Sequence, residues 1–455
     1  YKRQPMTPAA RLLRGATVVH GPGAPPRPDT DVLIVGDRIA AIGPDLPPPD
    51  GGRVLDVGGA WIVPGWIDAH VHLLHVPGQD WLAPDLVASL RRRDLASFVA
   101  CGVTTVLDAG TVRASLDETR GWIADGAVAP RVVVLGEALG PAGGYPSVMS
   151  PAFTGLASVA EVGPALDRAV AMGAVGAKVT FERGFGRQDL PLFDPAMRRA
   201  IRGEAADRGL PLFVHAMTPA DYLPALDLAP RAFVHGPEDP DPAVTEAIAA
   251  SDAWVITTAT LYDAPLEVRS ARGLADPLVQ AAVPPELVAA ALDRETAIRS
   301  RRALAAMTAP WAPDWLASMG VAARWLSRRE LHRALAALRD LHDAGVPLVV
   351  GTDTGTWPLL HGQLPGWATV RELELLAEAG LDPAEVLAAA TIAPARLLGL
   401  DDDLGTIEVG KVADLVVLGR DPTVPPRAGR PSAWRSVRYT VHDGVADTPS
   451  GWIGR

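Results

Sequence analysis

Pro64-Gly-Trp-Ile-Asp-Ala-His70-Val-His72 is the stretch on which the reading of this chain turns. Residues i and i+2 of a β-strand point to the same side. His70 and His72, at the end of an apolar strand, therefore project together and are spaced to share one metal ion; the alternative is two histidines on a polar strand face. Working outward, apolar β-rich runs cover 62–72, 103–109, 131–137, 174–180, 211–217, 231–235, 254–260 and 347–353. Helical patterns separate most of them, as at 85–100 and 160–172. Eight strands alternating with helices over about 300 residues are what a (β/α)8 barrel requires, a doubly wound open sheet being the structural alternative. The connection 261–346 is too long for a plain loop. It carries helical patterns at 285–308 and 328–344, with Trp311, Trp315 and Trp325 around them, and is expected to add helices over or beside the barrel mouth.

Short β runs return at the two ends of the chain. Residues 16–19, 31–35 and 38–42 form one group, with Gly36-Asp37 as a hairpin turn. Residues 405–407, 413–418 and 437–441, followed by a turn at Asp443-Gly444, form the other. Neither group can bury a β core alone. The expectation is an α/β chain in which residues 6–62 and 400–450 build one composite β-sandwich. Residues 63–399 then form a distorted (β/α)8 TIM barrel, with its helical insertion at about 261–346.

Composition removes several function classes. The chain has 455 residues, 48% hydrophobic and 21% charged, which supplies ample core. A net charge of −11 argues against nucleic acid as a partner. The single cysteine, Cys101, excludes disulfide frameworks and zinc ribbons within one chain and reads as a small buried residue. No apolar run approaches the ~18 residues of a membrane span, and Tyr1–Met6 lacks a signal pattern, Met6 being a candidate native start. A soluble, cytoplasmic enzyme acting on a small-molecule substrate is expected, with no membrane or nucleic-acid partner; association into a homo-oligomer stays open.

Three further strands end in metal-ligand residue types. Leu212-Phe-Val-His215, Ala232-Phe-Val-His235 and Leu348-Val-Val-Gly-Thr-Asp353 each place one at the terminus. Any of these alone could be a core histidine or a capping aspartate. Four of only ten histidines, however, fall at strand ends that a parallel barrel gathers around one mouth. Imidazoles with a carboxylate make a mixed N/O site that suits zinc. Of 42 basic residues only Lys2, Lys178 and Lys411 are lysine. Lys178 lies in the apolar run Ala174-Val-Gly-Ala-Lys178-Val-Thr-Phe181. Burial and neighbouring cations lower a lysine pKa, and a neutral amine can add CO2 to become a carbamate able to bridge two metals. Snorkelling to the rim, or an ion pair with Glu182, is its alternative.

Taken in order, His-x-His, Lys, His, His and Asp resemble the amidohydrolase superfamily, and within it the branch of imidazolonepropionases and Xaa-Pro dipeptidase-like enzymes. The lead-in Trp61-Ile-Val-Pro-Gly-Trp-Ile-Asp-Ala-His-Val-His72 carries the same likeness. So do Ala389-Ala-Thr-Ile-Ala-Pro-Ala-Arg-Leu-Leu-Gly-Leu400 and Leu404-Gly-Thr-Ile-Glu-Val-Gly-Lys-Val-Ala-Asp-Leu-Val-Val-Leu418. The resemblance spans nearly the whole chain and implies a binuclear centre of two divalent ions, zinc being expected. It implies that His70, His72 and Asp353 hold the more buried ion and His215 and His235 the more exposed one. Lys178, carboxylated, and a hydroxide would bridge them. The hydroxide would attack the carbonyl of an amide-type C–N bond while Asp353 moves the proton to the leaving nitrogen.

One departure is visible. Many relatives carry Gly-Gly-His after the third strand, where this chain has Gly140-Pro-Ala-Gly-Gly-Tyr145-Pro146. Tyr145 could donate to a developing oxyanion or line the pocket; His361, past Asp353, is a second candidate for substrate contact or a surface residue. Asp108 and Glu137 could support the ligands or cap the loops that follow them. Trp81, Tyr262, Trp357 and Trp367 could wall an apolar substrate, Arg183 could bind its carboxylate, and His75 lies off the His-x-His alternation. The same centre could act on an ester, carbamate or phosphotriester, or run a cyclisation or dehydration. A mononuclear deaminase would lack the lysine, and an inactive scaffold would lack ligands.

Overall fold

The computed structural model describes residues 10–73, 84–148, 153, 155–184, 188–270, 273–293, 295, 298, 320–355, 363–427 and 430–455. Five strands open the chain: β1 (Ala10–Val18), β2 (Arg27–Val35), β3 (Arg38–Gly43), β4 (Arg53–Asp56) and β5 (Trp61–Pro64). Eight follow: β6 (Trp66–Val71), β7 (Val103–Asp108), β8 (Arg131–Val134), β9 (Ala177–Thr180), β10 (Leu212–His215), β11 (Ala232–Val234), β12 (Trp254–Ile256) and β13 (Leu348–Val349). Three close it: β14 (Leu415–Leu418), β15 (Val437–His442) and β16 (Val445–Asp447).

All eight apolar runs contain a strand, most of them shorter than the run itself. The eight pair in parallel as β6-β7-β8 and β9-β10-β11-β12-β13. Hydrogen bonds also join the two sheets at each end. Leu139 N donates to the Lys178 carbonyl (2.8 Å) and Thr180 N to that of Leu139 (2.8 Å). On the other side Ala69 N donates to Val350 (2.8 Å) and His72 N to Thr354 (2.7 Å). Apart from β8 and β12 these strands are buried along their whole length, as parallel strands covered on both faces must be.

Helices run between the strands, including Pro84–Ala100, Val162–Ala171, Pro195–Asp207 and Pro242–Ala249. Four helices share one start signal: Asp194, Asp241, Asp276 and Asp382 each precede a proline at the first turn and accept from backbone N–H groups of that turn. The carboxylate satisfies donors that have no intrahelical partner, and proline presets φ. At Asp382 the bond is reciprocal, Glu385 accepting from Asp382 N at 2.7 Å. In the long connection the described helices are Thr260–Ser270, Pro277–Ala282, Pro285–Leu292 and Gly320–Asp343; Trp311 and Trp315 lie outside the described residues.

The two ends of the chain meet in one eight-stranded mixed sheet, ordered β16-β15-β14-β5-β1-β2-β3, with β4 also on β1. Gly15, at φ +73°, splits β1: residues 11–14 pair with β4 and 17–18 with β5. Leu13, Ile34, Ile62, Leu415 and Val441 share this sheet's core. Residues 405–407, expected as β, are not a strand. The run 62–72 is not one strand either. β5 belongs to the terminal sheet and β6 to the parallel set, and Gly65 is the switch between them. Its N–H donates to the Asp414 carbonyl (2.7 Å), and a Cβ there would lie 2.3 Å from Thr104 Oγ1, so only glycine fits. No helix among the described residues is long and apolar enough to cross a membrane.

Candidate metal centre

Parallel strands bring residues at their C-terminal ends to one side. His70 is the last residue but one of β6, with His72 just beyond the strand; Lys178 is in β9, His215 ends β10, His235 follows β11 and Asp353 lies four residues past β13. The structure brings these six together. His70 Nε2 and His72 Nε2 lie 3.0 and 2.9 Å from the same atom, Asp353 Oδ1. His235 Nε2 is 2.9 Å from His215 Nδ1. The ring centroids of His70 and His235 are 5.1 Å apart. Ligand atoms of His70, His235 and Asp353 all fall within 4.8 Å of one another.

Burial sets the charge of this cluster. It pushes the Lys178 amine down to about 7, with Asp353 opposing. Burial, aided by the Lys178 charge, also lowers His215 to about 3 and holds His70 well below the imidazole range. His235 is lowered by burial and then by His215. Asp353 goes the other way: burial would raise it, but the hydrogen bonds from His70 and His72 hold it well below the carboxylate range. The neutral imidazoles of His70, His215 and His235, an ionised carboxylate and an amine with a neutral population form a donor set suited to divalent cations.

The backbone is shaped to present these groups. Asp353 and His235 have φ of +60° and +74°, a left-handed conformation that non-glycine residues avoid. Asp353 is held by its N–H donating to the His70 carbonyl (2.8 Å), and His235 by the Tyr222 hydroxyl donating to its carbonyl (2.7 Å). A Cβ at Gly351 would meet His70 Cβ at 2.8 Å. Below the centre, fully buried Asp68 accepts from Thr369 (2.7 Å), Thr352 (2.9 Å) and His70 N (3.2 Å), and burial outweighs these bonds to leave it at about 7. Thr258 Oγ1 lies 2.8 Å from His235 Nδ1.

The expectations for Glu137, Arg183 and Trp367 need correction. Glu137 pairs with Arg168 (3.2 Å) rather than supporting a ligand. Arg183 bonds buried Asp221 (3.0 Å). Trp367 is buried under the Arg435 guanidinium, 4.7 Å from its ring centre, and is not a mouth residue. Glu182 lies 3.5 Å from His215 Nε2, and the charge acting on Lys178 is that of Asp353. Asp108 is buried near His72 and raised to about 6 by burial, the His72 charge opposing. Tyr145 stacks on His215, ring centres 5.1 Å apart at 25°. Tyr262 is half-buried in the helix Thr260–Ser270. His361, His75, Trp81 and Trp357 lie outside the described residues.

Asp68, Glu182, Tyr222 and Thr258 lie against the candidate ligands without any sequence pattern that marks them for it, save one. Asp68 shares the alternation of His70 and His72, the one signal that could have found it. The others depend on contacts between strands.

Known proteins resemble parts of the chain in sequence and nearly all of it in fold. A deacetylase of Agrobacterium fabrum is 36% identical over 110 residues, 24% of this chain and 24% of that protein. An imidazolonepropionase of an Arthrobacter species is 34% identical over 93 residues, 20% of this chain and 22% of that protein. The matched stretches thus span about a quarter of these relatives' length or less. The crystal structure of a Xaa-Pro dipeptidase with bound methionine in the active site superposes with a TM-score of 0.71 at 20% identity, covering 97% of this chain and all of that one. The profile of the amidohydrolase family matches residues 61–446, and the chain belongs to that family.

Proposed function

We propose that the protein is a binuclear metal-dependent amidohydrolase that hydrolyses an amide-type C–N bond in a small molecule: an N-acyl amino acid, a dipeptide or a cyclic amide. The observation that carries this reading is the convergence of four imidazoles, one carboxylate and one buried lysine at one end of the parallel strands. Deacetylase, imidazolonepropionase and dipeptidase relatives support the bond class. The hydrogen bonds that join the residues following β8 to β9, and the residues following β13 to β6 and its end, support a barrel closed at both seams, over residues 63–399. The core shared by strands from both ends of the chain supports reading the terminal sheet as the expected composite sandwich of 6–62 and 400–450.

His70, His72 and Asp353 would hold one ion, His215 and His235 the second, and Lys178, as its carbamate, both. Bound there, two divalent cations (zinc is the expected metal) acidify water into the neutral range and polarise a carbonyl oxygen. The chain supplies the rest. Lys178 is largely desolvated, which makes its amine nucleophilic toward CO2. Asp353, kept ionised, takes a proton from the attacking water and returns it to the leaving nitrogen. Tyr145, against His215, borders the reacting carbonyl.

Metal analysis of active protein should find about two divalent ions per chain. Lys178→Ala should abolish turnover, with partial recovery in short carboxylic acids that replace the carbamate. Activity in metal-free protein, or undiminished turnover of Lys178→Ala, would end the binuclear reading.

A further inference from the structure

The His215 ring is held on three sides. Its Nδ1 faces His235 Nε2 at 2.9 Å, Tyr145 covers one face, and the opposite ring nitrogen, Nε2, looks at Glu182 Oε2 across 3.5 Å. Both of these last two atoms are buried, and neither has a hydrogen-bond partner among the described residues. The glutamate is fixed from its other oxygen: Oε1 accepts from Gly184 N at 2.8 Å, in a turn where Gly184 has φ +95°. Sheet register puts it there. β9 and β10 pair Lys178 with Phe213 and Thr180 with His215, and Phe181 N donates to the His215 carbonyl (2.9 Å), so residue 182 comes level with that ring.

A ligating imidazole is neutral and carries one N–H. The group that accepts this N–H decides which nitrogen keeps its lone pair for the ion. If the proposed metal centre holds, His215 must offer Nδ1, which leaves its proton on Nε2. We propose that Glu182 is a positioning residue, accepting the Nε2–H of His215 so that the Nδ1 lone pair faces the centre. His235 makes the matching arrangement with Thr258 at its own far nitrogen. Glu182 thus acts on one ion of the pair, the one held by His215 and His235, and not on the one held by His70, His72 and Asp353.

The test is Zn2+ titration of the full chain against a chromogenic chelator, with bound metal counted by elemental analysis. Glu182→Ala should weaken one of two Zn2+ equivalents by about 10–100-fold and leave the other at wild-type affinity. Glu182→Gln offers one acceptor to two donors, His215 and Gly184, and should weaken the same equivalent by a smaller factor. It carries the test if the alanine variant does not fold. In metal-free protein labelled with 15N-histidine, His215, assigned by its absence in His215→Asn, should be the Nε2–H tautomer in wild type and a mixture in Glu182→Ala. Wild-type affinity for both equivalents in both variants would overturn the role of Glu182 while leaving the metal centre standing. A wild-type chain that binds no Zn2+ would overturn the metal centre, and this inference with it.

Discussion

Asp353 concentrates several demands on one side chain. It sits at φ +60°, a conformation that costs an L-residue roughly 1–2 kcal/mol. Its Oδ1 receives both His70 and His72. Strain of this kind persists where surrounding bonds over-determine it, and here the His70 carbonyl does so through the Asp353 N–H. Asp353→Asn keeps the shape and removes the proposed proton acceptor. It should lower turnover by about 10²–10⁴-fold, read from kcat with metal content measured alongside. Near-normal kcat with metal still bound would exclude Asp353 from proton transfer. Lys178 makes the complementary case: in a chain that uses arginine almost throughout, a lysine inside a buried strand fits the proposed carbamate, which an always-charged guanidinium cannot form.

Between elements, the seam from β13 to β6 decides whether the ligands can meet. Gly355 has φ +115°, and a Cβ there would lie 1.6 Å from the His72 carbonyl oxygen. Backbone against backbone leaves nothing to rotate away. Gly355→Ala should therefore cost about 3 kcal/mol or more, measured by denaturant unfolding of metal-free protein. It should also disturb Zn2+ binding at the site proposed for His70, His72 and Asp353. Stability within a few tenths of wild type would show that this approach is not enforced. The Asp-Pro starts at Asp194 and Asp241 work at the same level, each fixing where the helix begins after a strand, β9 or β11, that carries or leads into a candidate ligand.

Across the whole molecule, one ionic cluster ties the terminal sheet to the parallel strands. Arg131, at the start of β8, bonds Asp414 (2.8 Å) and Asp443 (2.6 Å), while His442 Nδ1 lies 3.1 Å from Asp414. Burial alone would lower His442. The hydrogen bond and charge of Asp414, with Asp443 behind it, outweigh burial, and the imidazole is raised above its ordinary 6.5. A histidine raised on folding adds stability that is fully present below 6.5 and lost as pH climbs through the raised value. Asp414, held below 3.8, sets the acid limit, since its own contribution fades as pH falls through that lowered value. The melting temperature of His442→Gln should fall below that of wild type most at about pH 5–6, the gap closing toward about pH 9. A gap that stays constant with pH would show that the ion pair does not contribute.

Patterns local in the chain are legible in the amino-acid sequence alone. The eight apolar runs, the His-x-His pair, the strand-end His215, His235 and Asp353, and the odd lysine all announce themselves by spacing of two, by position after an apolar run, or by rarity. These are properties of a few consecutive residues, and strand periodicity alone turns them into directions. What only the tertiary structure decided involves partners distant in sequence. Gly65 splits one apolar run between two sheets because Thr104 leaves no room for a side chain. Trp367 is taken into the interior by Arg435. Glu182 reaches His215 only because β9 and β10 pair in one particular register. No residue carries in its own neighbours the identity of what the other strand brings alongside it, so the candidate ligands can be named from the chain while the groups packed against them emerge only from the fold.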